Sequence, residues 1–327
     1  MATLYLDRKG LELRLDGKAL ALYENAKRVR TVPLALLDRV VIRAETALTS
    51  GLLGALAEAG AVVTVLSGRQ GRRLATVTGR FHNDARIRLA QYQRAQDAAF
   101  RLAWARRLLA AKIGRQITAL RTAVRQRPDL RKPLHDALAS LQGARERLAL
   151  LDVHQDISTL LGMEGAAQSA YFRGLMALFP ASLGFTGRNR RPPRDPVNAC
   201  LSLGYTLAHF EAVRASYAAG LDPFIGFLHE PAFGRESLAC DLIEPLRARL
   251  DLWVWEMFRT RRLREEHFRV DKGACLLDKA GRAVFYENFE RQVATMGRWL
   301  RRVCRLMAKT LQQDAPPLAN MAGEDDL

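Results

Sequence analysis

The chain changes its hydrophobic rhythm once, near residue 80. From Thr3 to Arg80, short segments alternate apolar with polar residues: LYLD, LELRLD, ALALYE, RVRTVPL and DRVVIR, then AVVTVLS and RLATVTG. A period of two is that of strands with one covered face, and Lys9-Gly10 and Asp16-Gly17 between segments are turn dipeptides. One amphipathic helix is expected among them, between Thr49 and Ala59, and the basic run Gly-Arg-Gln-Gly-Arg-Arg joins the last two strands.

From Phe81 onward β-branched runs vanish, Gln, Ala, Leu and Arg dominate, and apolar residues recur at helical spacing. A long helical stretch is expected to reach Gln126, with a break near Gly114. Further helices are expected near 134–149, 156–179, 196–219, 236–264 and 286–312. The closing residues, QQDAPPLANMAGEDDL, are acidic and rich in helix breakers, as in a loose tail. The pattern predicts an α+β protein: a small N-terminal β-rich domain over 1–80, a larger all-α domain over 81–312, and a disordered acidic tail over 313–327. No internal repeat is visible.

Composition narrows the partners. The 327 residues are 49% hydrophobic, enough for a sizeable core, and 51 Lys and Arg against 34 Asp and Glu leave a net charge of +17. Such a surplus favours a polyanion, either nucleic acid or an acidic membrane surface. No uninterrupted apolar run reaches the roughly 18 residues of a spanning helix. The N-terminus MATLYLDRKG reads as a strand and lacks the apolar core of a signal peptide. Nucleic acid is therefore the expected partner and the membrane is not. Cys200, Cys240, Cys275 and Cys304 lie far apart with no CxxC pair, which argues against structural zinc and a disulfide framework. A cytoplasmic protein with reduced thiols is expected.

The positive charge is concentrated. Residues 81–132 hold 13 Lys or Arg against 3 Asp. At about 100° per residue, Arg94, Arg101, Lys112 and Arg115 fall on one narrow face of a continuous helix. Such a stripe suits the phosphates of a duplex, and equally a solvated helix face. In the loop GRNRRPPRDP, Arg188, Arg190, Arg191 and Arg194 flank Pro192 and Pro193. The prolines stiffen the backbone that carries these DNA-contact candidates, although a rigid linker has the same composition. Clusters at Arg259–Arg264 and Arg298–Arg305 read as helix faces.

A few acidic residues stand in apolar surroundings. Glu164 lies among Leu, Met, Ala and Gly in LLGMEGAAQSAYF, with Gln168 and Tyr171 on its face at four and seven residues on. Alone it reads equally as a helix-start carboxylate or a ligand. In GFLHEPAFGRESLACDLIEPLR, His229 sits in a loop, and Asp241 follows within a helix. Asp241 and Glu244 share a face flanked by Leu238, Leu242 and Ile243. Desolvated acids need a cation or a hydrogen-bonding partner. A histidine just before such a helix is either a satisfied core residue or a metal ligand. His82, His135, His154, His209 and His267 lack acids at suggestive spacing, apart from His154 near Asp152 and Asp156, which read as a helix start.

Four segments carry a resemblance: GMEGAAQSAYF (162–172), RRPPRDPVNACLSLGY (190–205), GLDPFIGFLHE (220–230) and GRESLACDLIEPLR (234–247). In order and spacing they resemble the CRISPR-associated endonuclease and integrase family Cas1, and with the β-then-α organisation the likeness covers nearly the whole chain. The resemblance implies that Glu164, His229 and Asp241 are catalytic and ligate a divalent metal, Mg²⁺ or Mn²⁺. Glu244 belongs to the same motif without being assigned as a ligand, and it and Tyr171 are candidates for supporting the ligands. Where some relatives carry another acid, this chain has Leu238. The resemblance further implies a homodimer formed through the β domain, double-stranded and branched DNA as substrates, and assembly with the small protein Cas2. The implied reaction inserts short DNA fragments, or spacers, into a CRISPR repeat array by transesterification. Two other readings share many features: a structure-selective nuclease of branched DNA in repair, and a non-catalytic DNA-binding scaffold.

Overall fold

A computed structural model of the chain describes residues 2–66, 73–79, 82–151, 156–189 and 192–313. They fall into two compact units, Met1–His82 and Asn83–Leu327. The expected α+β class is observed: strands dominate the first unit and helices the second. The acidic tail beyond Gln313, which ends the last helix, the basic turn up to Arg72, and Arg190 and Arg191 lie outside the described residues.

The first unit holds β1 (Ala2–Leu6), β2 (Leu11–Asp16), β3 (Ala19–Glu24), β4 (Lys27–Pro33), β5 (Leu37–Ile42), β6 (Thr46–Leu48), α1 (Ser50–Glu58), β7 (Val62–Leu66) and β8 (Arg73–Val77). One sheet runs β1-β5-β7-β8, with the first two pairings parallel and the last antiparallel. The other runs β4-β3-β2-β6. The alternation in the sequence works as expected: Leu11, Leu13, Leu20 and Leu22 face one core with Leu4, Leu6, Val40, Leu52 and Leu56. Two-residue turns close the β2–β3 and β3–β4 hairpins. The latter uses Asn25 and Ala26, both at positive φ, as the twist of a tight hairpin demands. The oxygen of Thr49 accepts the Leu52 amide and starts α1.

The second unit contains α2 (Ala85–Gln96), α3 (Ala98–Gln126), α4 (Arg131–Ala149), α5 (Ile157–Met176), α6 (Pro196–Ala218), α7 (Ser237–Arg259), a hairpin of β9 (Phe268–Asp271) and β10 (Ala274–Leu277), and α8 (Lys279–Gln313). The long basic helix is broken at Asp97, and Gly114 lies inside α3. Asp97 has an extended backbone and its carboxylate accepts the Phe100 amide, so it starts a new helix. Gly114 is carried through because the α3 stripe Leu109, Ile113, Ile117 and Leu120 is fully buried; this outweighs the cost of about 1 kcal/mol of a helical glycine. Helices α3, α4 and α5 pack so closely that a Cβ on Gly174 would sit 2.8 Å from the Ala137 methyl. The β9–β10 hairpin, which helical periodicity did not suggest, precedes α8. That helix starts at Lys279, a full two turns before the expected point. No helix among the described residues is long and apolar enough to cross a membrane.

Candidate active site

The chain between α6 and α7 is held from below by Gln91 of α2, which is fully buried. Its amide donates to the carbonyls of Asp222 and Ile225 at 2.9 and 2.8 Å, and its oxygen accepts the Asp222 amide. Further along, Ser237 and Arg235 both donate to the Glu230 carbonyl and close the loop before α7. This pinned loop carries His229 and presents Phe233 wholly to solvent.

Asp241, in the second turn of α7, is 1% exposed. Its Oδ2 accepts the amides of Phe227 and Leu228 at 2.7 and 3.0 Å, and its Oδ1 accepts the amide of His229 at 3.0 Å. The fourth contact is His229 Nδ1, 2.6 Å from Oδ1. A carboxylate has about four acceptor positions, and here all are filled. The loop wraps so tightly that a Cβ on Gly226 would lie 2.9 Å from Asp241 Oδ2 and 2.8 Å from the Ser237 carbonyl carbon. No other residue fits there. Pro245, one turn further along α7, has no amide to give the Asp241 carbonyl.

A second cluster forms around Lys112 of α3. The ammonium is 2% exposed and lies between two carboxylates, those of Glu164 on α5 and Glu244 on α7, the latter at 2.6 Å. Arg247 holds the other Glu244 oxygen at 2.8 Å. Burial alone would push the Glu244 carboxyl up; the Arg247 and Lys112 charges overcome it and hold the group at about 2, with His229 adding to the same effect. The imidazole is therefore within electrostatic reach of the Lys112 cluster. Gln116, one turn after Lys112, donates to Gln168 at 2.9 Å.

Of the three candidate ligands, the structure joins His229 to Asp241 and sets Glu164 instead with Lys112 and Glu244. Among the described residues no group of three or more His, Cys, Asp or Glu side chains is arranged to hold a metal ion. The donor chemistry nevertheless fits a divalent cation. Two carboxylates already converge on one positive charge. With Nδ1 engaged by a carboxylate, His229 has its Nε2 lone pair to offer, the usual state of a ligating imidazole.

Several sequence expectations need correction. Lys112 cannot grip DNA, because it is buried against carboxylates. Arg94 does not share its face, because the helix breaks at Asp97; it pairs with that residue at 3.0 Å and lies over the Phe100 ring. Arg101 reaches Glu230 at 3.3 Å. Arg188 is turned inward, donating to Asn198 at 2.6 Å and to Ser202 at 3.0 Å, with its guanidinium over Tyr205. Arg194 and Arg115 are exposed. Tyr171 does not support Glu164; it is buried beside Asp251 and Tyr205. Tyr205 donates to Asp251, which burial drives up to about 6. His209 does have an acidic partner, Glu236 at 2.7 Å, although 27 residues separate them and no spacing rule could have paired them.

The chain is similar to several known proteins. The family described as CRISPR associated protein Cas1 matches residues 4–291. A CRISPR-associated endonuclease Cas1 of Thermodesulfovibrio yellowstonii is 38% identical over 295 residues, covering 90% of this chain and 92% of that protein. The structure of a CAS1 protein from Thermotoga maritima superposes with a TM-score of 0.82 at 22% identity, over the full length of both chains. A casposase bound to its integration product follows at 0.79 and 21%, covering 99% of this chain and 96% of the casposase. With most of its length matched by the family and by so similar a relative, the chain is a member of the CRISPR-associated Cas1 family.

Proposed function

We propose that this chain is a metal-dependent DNA endonuclease and integrase that inserts short DNA fragments, or spacers, into a CRISPR repeat array. The observation that carries the reading is the pairing of the Glu164 and Glu244 carboxylates around the buried Lys112 ammonium, with Asp241 and its partner His229 one helical turn before Glu244, in a chain with a net charge of +17. The names of its relatives, endonuclease for one and an integration product for the casposase, point to the same chemistry.

Glu164, His229 and Asp241 would hold Mg²⁺ or Mn²⁺, both of which accept mixed oxygen and nitrogen donors. When bound, the ion lowers the pKa of an attacking 3′-hydroxyl and stabilises the charge that gathers on the phosphorus oxygens. The protein groups set up that step. Asp241 fixes the His229 ring and its tautomer through the Nδ1 contact. To bind a cation directly, Asp241 must surrender that bond, the one of its four that is not to backbone. Lys112 holds Glu164 and Glu244 together, and Glu164 would have to exchange that ammonium for the cation in order to ligate it. The 3′-hydroxyl then attacks a phosphodiester of the target, one ester replaces another, and no ATP is needed. Exposed basic groups such as Arg194 position duplex or branched DNA through phosphate contacts, which carry no sequence information.

A homodimer through the β-rich unit agrees with the exposed β4 edge, where Val29 faces solvent. Family membership supports assembly with Cas2.

The test is a strand-joining assay with a labelled oligonucleotide, a repeat-bearing target and either divalent cation or chelator. Joined product that requires cation and disappears in Glu164→Gln is expected. Shortened substrate without joining identifies a branched-DNA nuclease. DNA binding with no cation-dependent chemistry identifies a scaffold.

A further inference from the structure

A cleft of about 460 Å³ opens between α3, α7 and α8. Its floor is apolar and aromatic: Leu246, Leu252, Trp253, Met296 and Trp299. Trp253 is locked edge-on against Phe285 and Phe289 at 4.9 and 5.7 Å, whereas Trp299 is only half-buried. The rim carries exposed Arg115 and Arg249, and exposed Arg298 precedes Trp299. Arg249 donates to Gln292 at 3.1 Å, and Arg298 reaches the Thr295 hydroxyl at 3.5 Å. Burial and then the repulsion of Arg115 and Arg298 hold Arg249 below its ordinary pKa, so three like charges crowd one side of the cleft. Among the described residues none of the three stands in an ion pair with a carboxylate. The one acid lining the cleft, Glu256, is taken by Arg259 at 2.8 Å. Crowded cations over an apolar floor call for an occupant with clustered acids and a few apolar side chains.

The chain itself carries one. Residues 314–327, DAPPLANMAGEDDL, hold Asp314, Glu324, Asp325 and Asp326 and no Lys, Arg or His, in a protein whose net charge is +17. Leu318 and Met321 come before the acidic run. Direction agrees. At 100° per residue, Trp299, Arg302, Leu306 and Gln313 fall within about 60° of one another on α8, and Leu306 is 56% exposed. An uncovered strip therefore runs from the cleft to the last turn of the helix. Reach agrees as well. Gln313 stands about 21 Å of helix rise beyond Trp299 and about 32 Å beyond Gln292, the partner of Arg249. An extended chain turning back from Gln313 covers about 3.3 Å per residue, so Leu318 and Met321 come within about 17–26 Å, level with Trp299. Glu324 to Asp326 reach about 36–43 Å, enough for the arginines at the far end of the cleft. A segment tethered this close is present at an effective concentration in the millimolar range, which favours it over a separate partner of the same chemistry.

We propose that residues 314–327 dock back along α8 as an acidic strap, with Leu318 and Met321 in the cleft beside Trp299 and with Glu324, Asp325 and Asp326 on Arg115, Arg249 and Arg298. The strap screens part of the surface of a strongly basic chain, so a polyanion must displace it before using this face. The docking stands on the cleft and the segment alone, whereas its effect on DNA rests on the reading given above.

The experiment is acrylamide quenching of tryptophan emission in the full-length protein, in chelator. Three of the four tryptophans line the cleft and Trp299 is the most exposed of the three, so quenching reports whether it is covered. Glu324→Gln combined with Asp325→Asn and Asp326→Asn is expected to raise the quenching constant by about twofold, as uncovering a half-buried indole would. Arg249→Ala combined with Arg298→Ala should do the same, and the two sets together should add nothing, because each acts only through the other. Trp299→Phe should erase the difference between the unaltered and acid-free chains. Equal quenching of those two chains overturns the proposal, as does full additivity of the two sets. Protection of Trp299 that fades on dilution gives the cleft to the tail of a second copy and overturns the same-chain strap. In a parallel titration at low salt, the acid-free chain should bind duplex DNA about threefold more tightly, and this gain should vanish in the Arg249→Ala, Arg298→Ala background. An unchanged DNA affinity with the quenching difference intact overturns the screening alone. Neither readout needs a cation, so failure to join strands would remove the catalytic reading and leave both results in place.

Discussion

The Nδ1 atom of His229 lies 2.6 Å from Oδ1 of Asp241, and this contact decides which nitrogen the imidazole offers outward. Asp241 is itself immobilised by three backbone amides, so the ring is aimed by a rigid acceptor and the loop is folded around an anion. Loop and helix are thus one device: the same carboxylate that shapes residues 226–229 selects the histidine tautomer.

Asp241→Asn is expected to destabilise the protein by about 2–3 kcal/mol, because an amide must turn a donor toward backbone N–H groups that need acceptors. Chemical denaturation measures this. Gly226→Ala should be at least as damaging, since its methyl would displace Asp241 or the start of α7. Neither variant should retain divalent-cation affinity in calorimetric titration.

Lys112→Met leaves Glu164 and Glu244 facing each other without their shared cation. A loss of about 3–5 kcal/mol is expected, typical of a broken buried ion pair. Mn²⁺ should recover part of the loss by taking the vacated position. In thermal melts, the rise in midpoint on adding Mn²⁺ should be larger for Lys112→Met than for the unaltered protein. A smaller rise would show that Lys112 does not compete with the ion.

Two buried carboxylates give opposite pH dependences. Burial raises Asp251 from its ordinary 3.8 to about 6, against the hydrogen bond from Tyr205. Its contribution favours the folded state fully below pH 3.8 and is lost as pH rises through about 6, by about 3 kcal/mol in all. Glu244 is held at about 2, below its ordinary 4.5; its contribution is present above 4.5 and is lost as pH falls toward 2. Asp251→Asn should therefore flatten the stability profile between about pH 4 and 6 and leave the fall at lower pH in place. Denaturation midpoints across this range provide the check.

Arg188 and Arg194 should separate structure from DNA binding. Arg188→Ala removes hydrogen bonds to Asn198 and Ser202 and should lower stability. Arg194→Ala should leave stability unchanged, weaken DNA binding and reduce the slope of log affinity against log salt by about 1. A salt slope unchanged in Arg194→Ala would remove it from the DNA contacts.

Much of this was legible in the sequence, and the failures have physical reasons. Strands with one covered face announce themselves by period two, so β1 to β5, β7 and β8 could be read directly, whereas three-residue β6 is too short to show a period. The β9–β10 hairpin is hidden because FRVD and ACLL carry few alternating positions. Asp97 stops a helix by capping the next one, a role a stretch rich in helix formers conceals better than a glycine would. Glu164, His229 and Asp241 stand out in the sequence as candidates, but their partners do not. Lys112 shares a helical face with exposed arginines on paper, and only the packing of α3 against α5 and α7 turns it into the counter-charge of two carboxylates. Periodicity finds the buried stripe of a helix; it does not show which charged residue at the stripe's edge will be buried.

The most direct measurement of the central claim is anomalous scattering from crystals soaked in Mn²⁺. A peak bound by Glu164 and by His229 Nε2, with Asp241 at the same centre and the Lys112 ammonium moved off Glu164, is the predicted result. Manganese bound only elsewhere, with Lys112 still bridging Glu164 and Glu244, would contradict it.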